Sequence, residues 1–274
     1  MEQRAFLLCP PDYFDAHFLF NAWLTIDETV DRDLAMEQWR TLRCAIVAAG
    51  GVVQEIEPSA RDSAMVYTRD NAWVYAPGKV LLLRSVGPRG MREPKLLQRW
   101  FKQHDYEIHQ LPRGMHLEGG NLMWRDEQTL VAGYKPGENV EAYQWLIEFY
   151  RQQTGLTIEV IFARLPNDKY LHLDMAVSFL CQGGVLVYPP ALHLGETWRS
   201  SELWDGRTVI ELDAETEYFG ANIIEVDDTI ITTSVSTATQ QALEKLGYGV
   251  QTIDLSEFIK GGGGPHCLTL DLLE

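Results

Sequence analysis

The chain has 274 residues, of which 46% are hydrophobic, and its 23 basic and 39 acidic side chains leave a formal net charge of −16. This length and composition are sufficient for a packed core and exclude a disordered chain. The acidic balance disfavours nucleic acid and anionic membranes as partners, and it is compatible with a small cationic substrate. The oligomeric state, a homodimer included, is left open.

The N-terminal stretch MEQRAFLLCPPDYF contains only a short apolar run and no small-residue cleavage site. Nowhere do 18 uncharged apolar residues follow one another, so we expect a soluble protein without an export signal. The four cysteines are widely separated and form no C-x-x-C pair. This spacing indicates a reducing, cytoplasmic setting, with Cys9, Cys44 and Cys181 as buried structural thiols.

One pattern recurs five times along the chain, at intervals of about 40 to 55 residues. A helix-like stretch, often closed by glycine, leads into a β-branched or aromatic run of alternating polarity. The runs begin near Val52, Tyr106, Leu156, Val209 and Val250, and the fourth copy is poor in helix. The pattern predicts five helix-and-strand units.

Each run is followed by a loop and by further strand-like segments. The next segment is in turn VYTRDNAWVYA, MHLEGGNLMW, YLHLDMAVSFL, YFGANIIEV and GGPHCLTLDL, and in four units another follows, namely KVLLLR, TLVAGY, GVLVYPP and TIITTS. No unit can cover its own apolar face, so the units should pack around a shared axis, with the last helix and strand closing on the first strand, AFLLCPP. We therefore predict one domain over residues 1–274, an α/β fold of five repeats of about 50 residues arranged as a five-bladed pseudosymmetric propeller.

Rotational symmetry has a consequence for chemistry. The loop after each first strand should lie at the same end of the axis, which would bring together Asp70, Glu118, His172, Asn222 and Cys267. In the HLD stretch, strand alternation would place His172 and Asp174 on one face. An ordinary strand with surface polar residues is the structural alternative for that stretch.

The candidate groups are one thiol, one imidazole and the carboxylates of Asp70, Glu118 and Asp174. Zinc binds all three types of group, but its sites usually use two or more closely spaced His or Cys ligands. Cysteine nucleophilic catalysis with histidine as acid and base fits better. Carboxylates around a thiolate would raise its pKa unless the substrate is a cation, and a guanidinium matches paired carboxylates. We expect neither a metal nor a cofactor.

Four motifs, YTRDN, HLEGGN, LHLDMAV and GGGGPHCLT, resemble those of the guanidine-modifying (pentein) superfamily, which includes arginine deiminases, agmatine deiminases, dimethylargininases, arginine dihydrolases and amidinotransferases. The resemblance covers almost the whole chain and implies the five-bladed pentein fold. It implies that Cys267 is the nucleophile, His172 the general acid and base, and Glu118 the carboxylate that positions the guanidinium with His172. Attack on the guanidinium carbon, loss of ammonia and hydrolysis of a thiouronium adduct would follow.

The resemblance also implies a substrate-binding set. Asp70 resembles the aspartate of the deiminase TRD stretch, and Asp174 resembles a second aspartate that grips the guanidinium. Four asparagines complete the expected set, namely Asn21, Asn71, Asn121 and Asn222; for Asn222, a backbone-satisfying role at a turn is the alternative.

The subfamily stays open. Arginine deiminases are commonly longer, and they carry aspartate where this chain has Asn121. The opening CPPDYFDAHFLFNAW looks like the compact arginine dihydrolase branch, in which Asn21 would have a counterpart, although that branch carries asparagine in place of Asp70. We rank deimination of arginine or a close derivative first. Dihydrolysis to ornithine, dimethylargininase and amidinotransferase activities are alternatives, and an arginine-binding module is the non-enzyme alternative.

Four further residues receive weaker assignments. Arg69 could bind a substrate carboxylate or pair with Glu118. His266 would face away from the site if Cys267 lay on a strand, so packing is its expected role. A structural role is also expected for His116 and Trp124.

Overall fold

The computed structural model describes residues 3–16, 29–85, 93–135, 140–167, 169–195, 199, 201–217 and 219–273. In these residues the strands are β1 (Ala5–Leu8), β2 (Val52–Glu55), β3 (Ala72–Ala76), β4 (Lys79–Leu82), β5 (Glu107–Gln110), β6 (Leu122–Trp124), β7 (Thr129–Tyr134), β8 (Glu159–Arg164), β9 (Val177–Phe179), β10 (Gly184–Val187), β11 (Thr208–Glu211), β12 (Ile224–Val226), β13 (Thr229–Thr232), β14 (Gly249–Thr252) and β15 (Leu270–Leu272). The helices are α1 (Arg32–Ala48), α2 (Glu93–Gln103), α3 (Glu141–Thr154), α4 (Thr237–Lys245) and α5 (Ser256–Lys260).

The strands form five three-stranded sheets of one topology. Their strand orders are β15-β1-β2, β3-β4-β5, β6-β7-β8, β9-β10-β11 and β12-β13-β14. In every sheet the first two strands pair antiparallel and the last two pair parallel. A parallel pair needs a crossover connection, and the helices α1, α2, α3 and α4 supply it in four sheets. The described part of the fifth crossover, between β10 and β11, holds only short 3₁₀ turns, which agrees with the helix-poor fourth copy.

The chain divides into two compact units. One comprises residues 1–119 and 254–274 and contains the first two sheets, and the other comprises residues 120–253 and contains the remaining three. In the first unit β15 pairs antiparallel with β1, with Ala5 opposite Leu272 and Leu7 opposite Leu270. The prediction that the last strand closes on the first is therefore confirmed.

Local sequence explains where the helices begin and end. The Asp31 side chain caps α1 by accepting hydrogen bonds from the backbone N–H groups of Asp33 and Leu34, both at 3.1 Å. Helix α3 ends at Gly155, which has a left-handed φ of 76°. The buried positions of α1 recur at helical spacing and include Ala35, Leu42 and Ile46.

Four of the five predicted strand runs begin within one residue of the expected position, at β2, β5, β11 and β14. The run expected near Leu156 becomes a strand only at Glu159. The cause is the end of α3, because the Leu156 N–H bonds the Thr154 hydroxyl at 3.1 Å and continues the capping turn.

Burial follows the order of strands in each sheet. In the first sheet β1 is fully buried, whereas β2 is partly exposed along its length. The outer strands β5, β8, β11 and β14 are likewise partly exposed. The exposed strands thus lie at the outer edge of each sheet, and side chains in the turn before a buried strand are expected to be buried as well. Within the described ranges, no helix is both long and apolar enough to cross a membrane.

Candidate active site

The predicted site residues share one position in the fold: each lies in the turn before the first strand of a sheet. In chain order, Asp70 precedes β3, Glu118 precedes β6, His172 and Asp174 precede β9, Asn222 precedes β12 and Cys267 precedes β15. Asn21 lies outside the described residues.

Two strand predictions are wrong at these turns. His172 is extended, with φ −136° and ψ 165°, but Leu173–Met175 form a 3₁₀ turn, so strand alternation does not apply to HLD. The turn forms because the Ala176 N–H bonds the Leu173 carbonyl at 2.8 Å. Cys267 also precedes its strand, in a turn closed by a bond from the Leu268 N–H to the Gly264 carbonyl at 3.3 Å. Tight local hydrogen bonds therefore replaced the predicted ladder.

The first unit joins the turn that carries Asp70 to the turn that carries Cys267. Asp70 lies on the 3₁₀ turn Thr68–Asn71, and both it and Cys267 are buried, with 6% and 4% of their surface exposed. The Arg69 N–H bonds the Cys267 carbonyl at 3.4 Å, and the Thr68 hydroxyl donates to the carbonyl oxygens of Leu268, at 3.2 Å, and Leu7, at 3.0 Å. Thr68 is not among the residues predicted from the sequence, although its place in the YTRDN motif was a signal for it.

Glu118 belongs to the same side of the site. One carboxylate oxygen of Glu118 and one of Asp70 lie within 4.8 Å of each other. The approach depends on Gly119, because a Cβ at that position would lie 2.1 Å from the Arg69 carbonyl oxygen. Two carboxylates at this separation form an arrangement that a single cation, a metal ion or a planar guanidinium can bridge.

The glycine run before Cys267 allows the Tyr67 ring and the Cys267 side chain to pack close to the backbone. A Cβ on Gly263 would lie 2.4 Å from Cε1 of Tyr67 and 2.9 Å from the Cβ of Cys267. The Tyr67 hydroxyl donates to the Phe258 carbonyl on α5 at 2.7 Å, so the ring cannot move aside freely. The run thus permits the close packing that delivers Cys267.

Arg69 and His266 have partners that the sequence did not predict. The Arg69 Nη2 donates to Asp271 Oδ2 at 2.5 Å and lies 2.6 Å from His266 Nε2. Arg69 therefore pairs with Asp271 on β15 and not with Glu118, and His266 forms a polar contact in place of the expected packing. His116, which was predicted to be structural, contacts the Ser85 carbonyl through Nδ1 at 3.2 Å.

The second unit holds His172 and Asp174. Asp174 is fully buried and His172 is 8% exposed. A Cβ on Gly120 would lie 2.8 Å from Cγ and Nδ1 of His172, so the imidazole occupies space that glycine leaves open. An imidazole and a buried carboxylate two residues apart can supply a proton and accept hydrogen bonds from a cation.

Two asparagines fix the backbone of this segment. The Asn121 Oδ1 accepts a hydrogen bond from the Leu173 N–H at 3.0 Å, and the Asn222 Nδ2 donates to the Asp174 carbonyl at 3.4 Å. This contact of Asn222 with a backbone carbonyl is of the kind that its backbone-satisfying alternative predicts. In the first unit, Asn71 accepts from the Ser85 hydroxyl at 3.3 Å. Trp124, predicted to be structural, packs against Tyr150 with ring centroids 5.7 Å apart.

Comparison with known proteins assigns the chain to a group. Residues 205–273 match the family model described as arginine deiminase. A bifunctional arginine dihydrolase/ornithine cyclodeaminase of Nostoc sp. (strain PCC 7120) is 30% identical over 98% of this chain. The substrate-bound N-terminal domain of ArgZ, an arginine dihydrolase from cyanobacteria, superposes with a TM-score of 0.88 at 27% identity over 99% of both chains. The chain belongs to the pentein superfamily.

This membership confirms the predicted fold class, the five-bladed pseudosymmetric α/β propeller of penteins. A second pentein relative, the N(G),N(G)-dimethylarginine dimethylaminohydrolase of Mycobacterium tuberculosis, is 25% identical over 98% of this chain and 86% of its own length. The chain spans only 38% of the length of the Nostoc protein.

Proposed function

We propose that the chain is a cysteine-dependent hydrolase of a guanidino compound. The observation that carries the proposal is the pairing of a buried thiol, Cys267, with the Asp70 turn, which also lies beside Glu118. Carboxylates disfavour a nearby thiolate, so this combination calls for a substrate with a positive charge. A guanidinium offers that charge and several N–H donors in one plane.

The proposed reaction has two stages. The Cys267 thiolate attacks the guanidinium carbon, the C–N bond breaks, and ammonia leaves with a proton from His172. Water, deprotonated by His172, then attacks the same carbon of the thiouronium adduct, and the S–C bond breaks to release a ureido product and the thiolate. Glu118 positions the guanidinium with His172.

Asp70 and Asp174 are proposed to accept guanidinium N–H bonds, and Asn21, Asn71, Asn121 and Asn222 complete the proposed substrate-binding set. An N-methyl group would remove one donor and leave a carboxylate lone pair unsatisfied. The cost of about 1–3 kcal/mol corresponds to about ten- to hundredfold selectivity for an unsubstituted guanidinium. Turnover of dimethylarginine but not arginine would contradict this role of Asp174.

Arginine or a close derivative is the proposed substrate. AgrE is the bifunctional Nostoc relative described above. The structure of an AgrE mutant in complex with L-arginine is similar to this chain, at 28% identity and with a TM-score of 0.87 over 99% of this chain and 40% of the AgrE chain. We place deimination first because an ionised Asp70 would repel the carbonyl oxygen of a ureido product and oppose a second hydrolysis. The proposed setting is the cytoplasm, and none of the four cysteines, all within the described residues, forms a disulfide. Cys9 is buried as expected, whereas Cys44 and Cys181 are exposed, so their expected burial is wrong.

Dihydrolysis is the second candidate, favoured by the arginine dihydrolase relatives that align with nearly the whole chain. The two reactions differ in stoichiometry. Purified protein incubated with arginine should release one ammonia per arginine with a ureido product. Two ammonia with ornithine would establish the dihydrolase instead, and transfer of the amidino group to an added acceptor amine would establish an amidinotransferase.

The covalent mechanism has a separate test. Mass spectrometry of acid-quenched turnover should show an adduct on the peptide containing Cys267, and Cys267→Ala should lose activity by at least about a thousandfold. Cys44→Ala, at an exposed thiol on α1, is the matched control and should keep full activity. Full activity in Cys267→Ala would refute the mechanism, and arginine binding without turnover by the wild type would indicate a binding module.

A further inference from the structure

A group of charged and polar contacts involves the residues that precede Asp70 and Cys267 in the chain, namely Arg69 and His266. The Arg4 Nη2 donates to Asp271 Oδ1 at 2.6 Å, and the Arg69 Nη2 donates to Asp271 Oδ2 at 2.5 Å. The same Arg69 nitrogen lies 2.6 Å from His266 Nε2. Arg69 is only 8% exposed, so water weakens these contacts little.

The chemistry of the guanidinium assigns the roles in the last contact. A guanidinium has N–H donors and no acceptor, so His266 Nε2 is the acceptor in this contact. A hydrogen bond from a charged donor is stronger than one between neutral groups. A glutamine could present an acceptor oxygen at a similar distance from the backbone, whereas a leucine could not.

These contacts add a third connection between two turns that are far apart in the sequence. Thr68 bonds the Leu268 carbonyl, the Arg69 N–H bonds the Cys267 carbonyl, and the Arg69 side chain bonds His266. The backbone bond to Cys267 is long, at 3.4 Å, and therefore weak. The contact between the Arg69 and His266 side chains is short, and it ties together the neighbouring residues Asp70 and Cys267.

We propose that Arg69 and His266 form a positioning pair that fixes Cys267 relative to Asp70. Neither side chain touches the substrate in this proposal; each acts through its covalent neighbour. A misplacement of about 1 Å at a reacting centre can cost about a hundredfold in rate. The kinetic consequence rests on the proposed function, but the positional one does not.

The kinetic test compares variants that lose the hydrogen-bond acceptor of His266 with a variant that replaces it. His266→Leu and Arg69→Met should lower kcat for ammonia release from arginine by about ten- to hundredfold, with KM changed less than about threefold. His266→Gln should keep kcat within about threefold of the wild type, because it restores an acceptor. His109→Leu is the matched control, since His109 contacts Glu107 on β5 and should leave kcat unchanged.

The positional test needs no substrate. Hydrogen exchange of the Arg69 amide should be at least about tenfold faster in His266→Leu and unchanged in His266→Gln. The Ile56 amide, bonded to the Leu8 carbonyl at 2.9 Å in the same unit, is the internal reference. Equal acceleration of both amides would mean a global loss of stability and would overturn the proposal.

The outcomes separate the two proposals. If the wild type releases no ammonia from any guanidino compound while the Arg69 amide responds as described, the proposed function fails and the positioning pair stands. If exchange and kcat are the same in His266→Leu as in the wild type, or if His266→Gln is as impaired as His266→Leu, the positioning pair is refuted.

Discussion

Two adjacent glycines, Gly119 and Gly120, shape the candidate site by the side chains they lack. Gly119 allows the Arg69 carbonyl to approach the Glu118 segment, and Gly120 leaves space for the His172 ring. Neither is described with a left-handed φ, so close approach is the reason for glycine at both positions. The EGG motif therefore has a steric basis within each unit.

Gly120→Ala is expected to displace the His172 imidazole, because the new Cβ would lie 2.8 Å from two ring atoms. Overpacking of this kind costs about 1–3 kcal/mol, and we expect kcat for the proposed reaction to fall at least about tenfold. The rate of ammonia release and the melting temperature should be measured together. Gly195→Ala is the matched control, since its Cβ would meet open space and both quantities should stay at wild-type values. Unchanged activity in Gly120→Ala would argue against His172 as the acid and base.

At the scale of elements, a buried carboxylate organises the start of α4. Glu217 is 1% exposed, and its Oε1 accepts from the N–H of Ser236, the N-cap of this helix, at 2.7 Å. Its Oε2 accepts from the Asp213 N–H at 2.8 Å and the Thr239 hydroxyl at 3.1 Å. A negative charge near a helix N-terminus is favourable, so this side chain joins the turn after β11 to the crossover helix of the next sheet.

Glu217→Ala should lower the free energy of unfolding by about 2–4 kcal/mol, because three donors lose a charged acceptor and one of them, the Thr239 hydroxyl, is buried. Urea denaturation at neutral pH measures the change. The matched control is Glu215→Ala on the same turn, which is exposed and should change stability by less than about 0.5 kcal/mol. A loss of similar size in both variants would show that burial of the carboxylate is not the cause.

At the scale of the whole molecule, Asp271 links stability to pH. Burial alone raises the pKa of Asp271, but the neighbouring cations Arg69 and Arg4 outweigh it and hold the pKa well below the usual range. The folded protein therefore binds a proton here less readily than the unfolded chain does. The resulting stability is present above the unfolded pKa of about 3.9 and is lost as the pH falls towards the folded pKa.

Asp271→Asn should be less stable than the wild type at pH 7, and its free energy of unfolding should fall less steeply below about pH 5. Urea titrations at several pH values between 7 and 3 give both quantities. The exposed Asp33→Asn variant removes the same charge from α1 and should leave the acid slope nearly unchanged. Parallel acid slopes for the wild type and Asp271→Asn would contradict the assignment.

Periodicity in the sequence predicted the elements because it records local burial. Apolar spacing and glycine stops predicted the helices α1, α2, α3 and α4 and four of the strand starts. The need to cover the apolar face of each of the five repeats predicted the pairing of β1 with β15. The prediction failed where short-range hydrogen bonds compete with the strand, as at Leu156 and in the turn after His172. Alternation of residue types does not record such bonds.

The sequence by itself determined the five-unit fold and the types of residue available for catalysis, since both are encoded in local pattern and in short motifs. Only the tertiary structure decided the partners of those residues. Arg69 meets His266 across 197 residues and Asp271 across 202, and both contacts exist because the pairing of β1 with β15 brings the last turn beside the turn of Asp70. Which side chains meet across such a separation depends on how the strands pair, and local sequence patterns do not record that pairing. The motifs YTRDN and GGGGPHCLT therefore identified Asp70 and Cys267 without predicting the contacts between their turns.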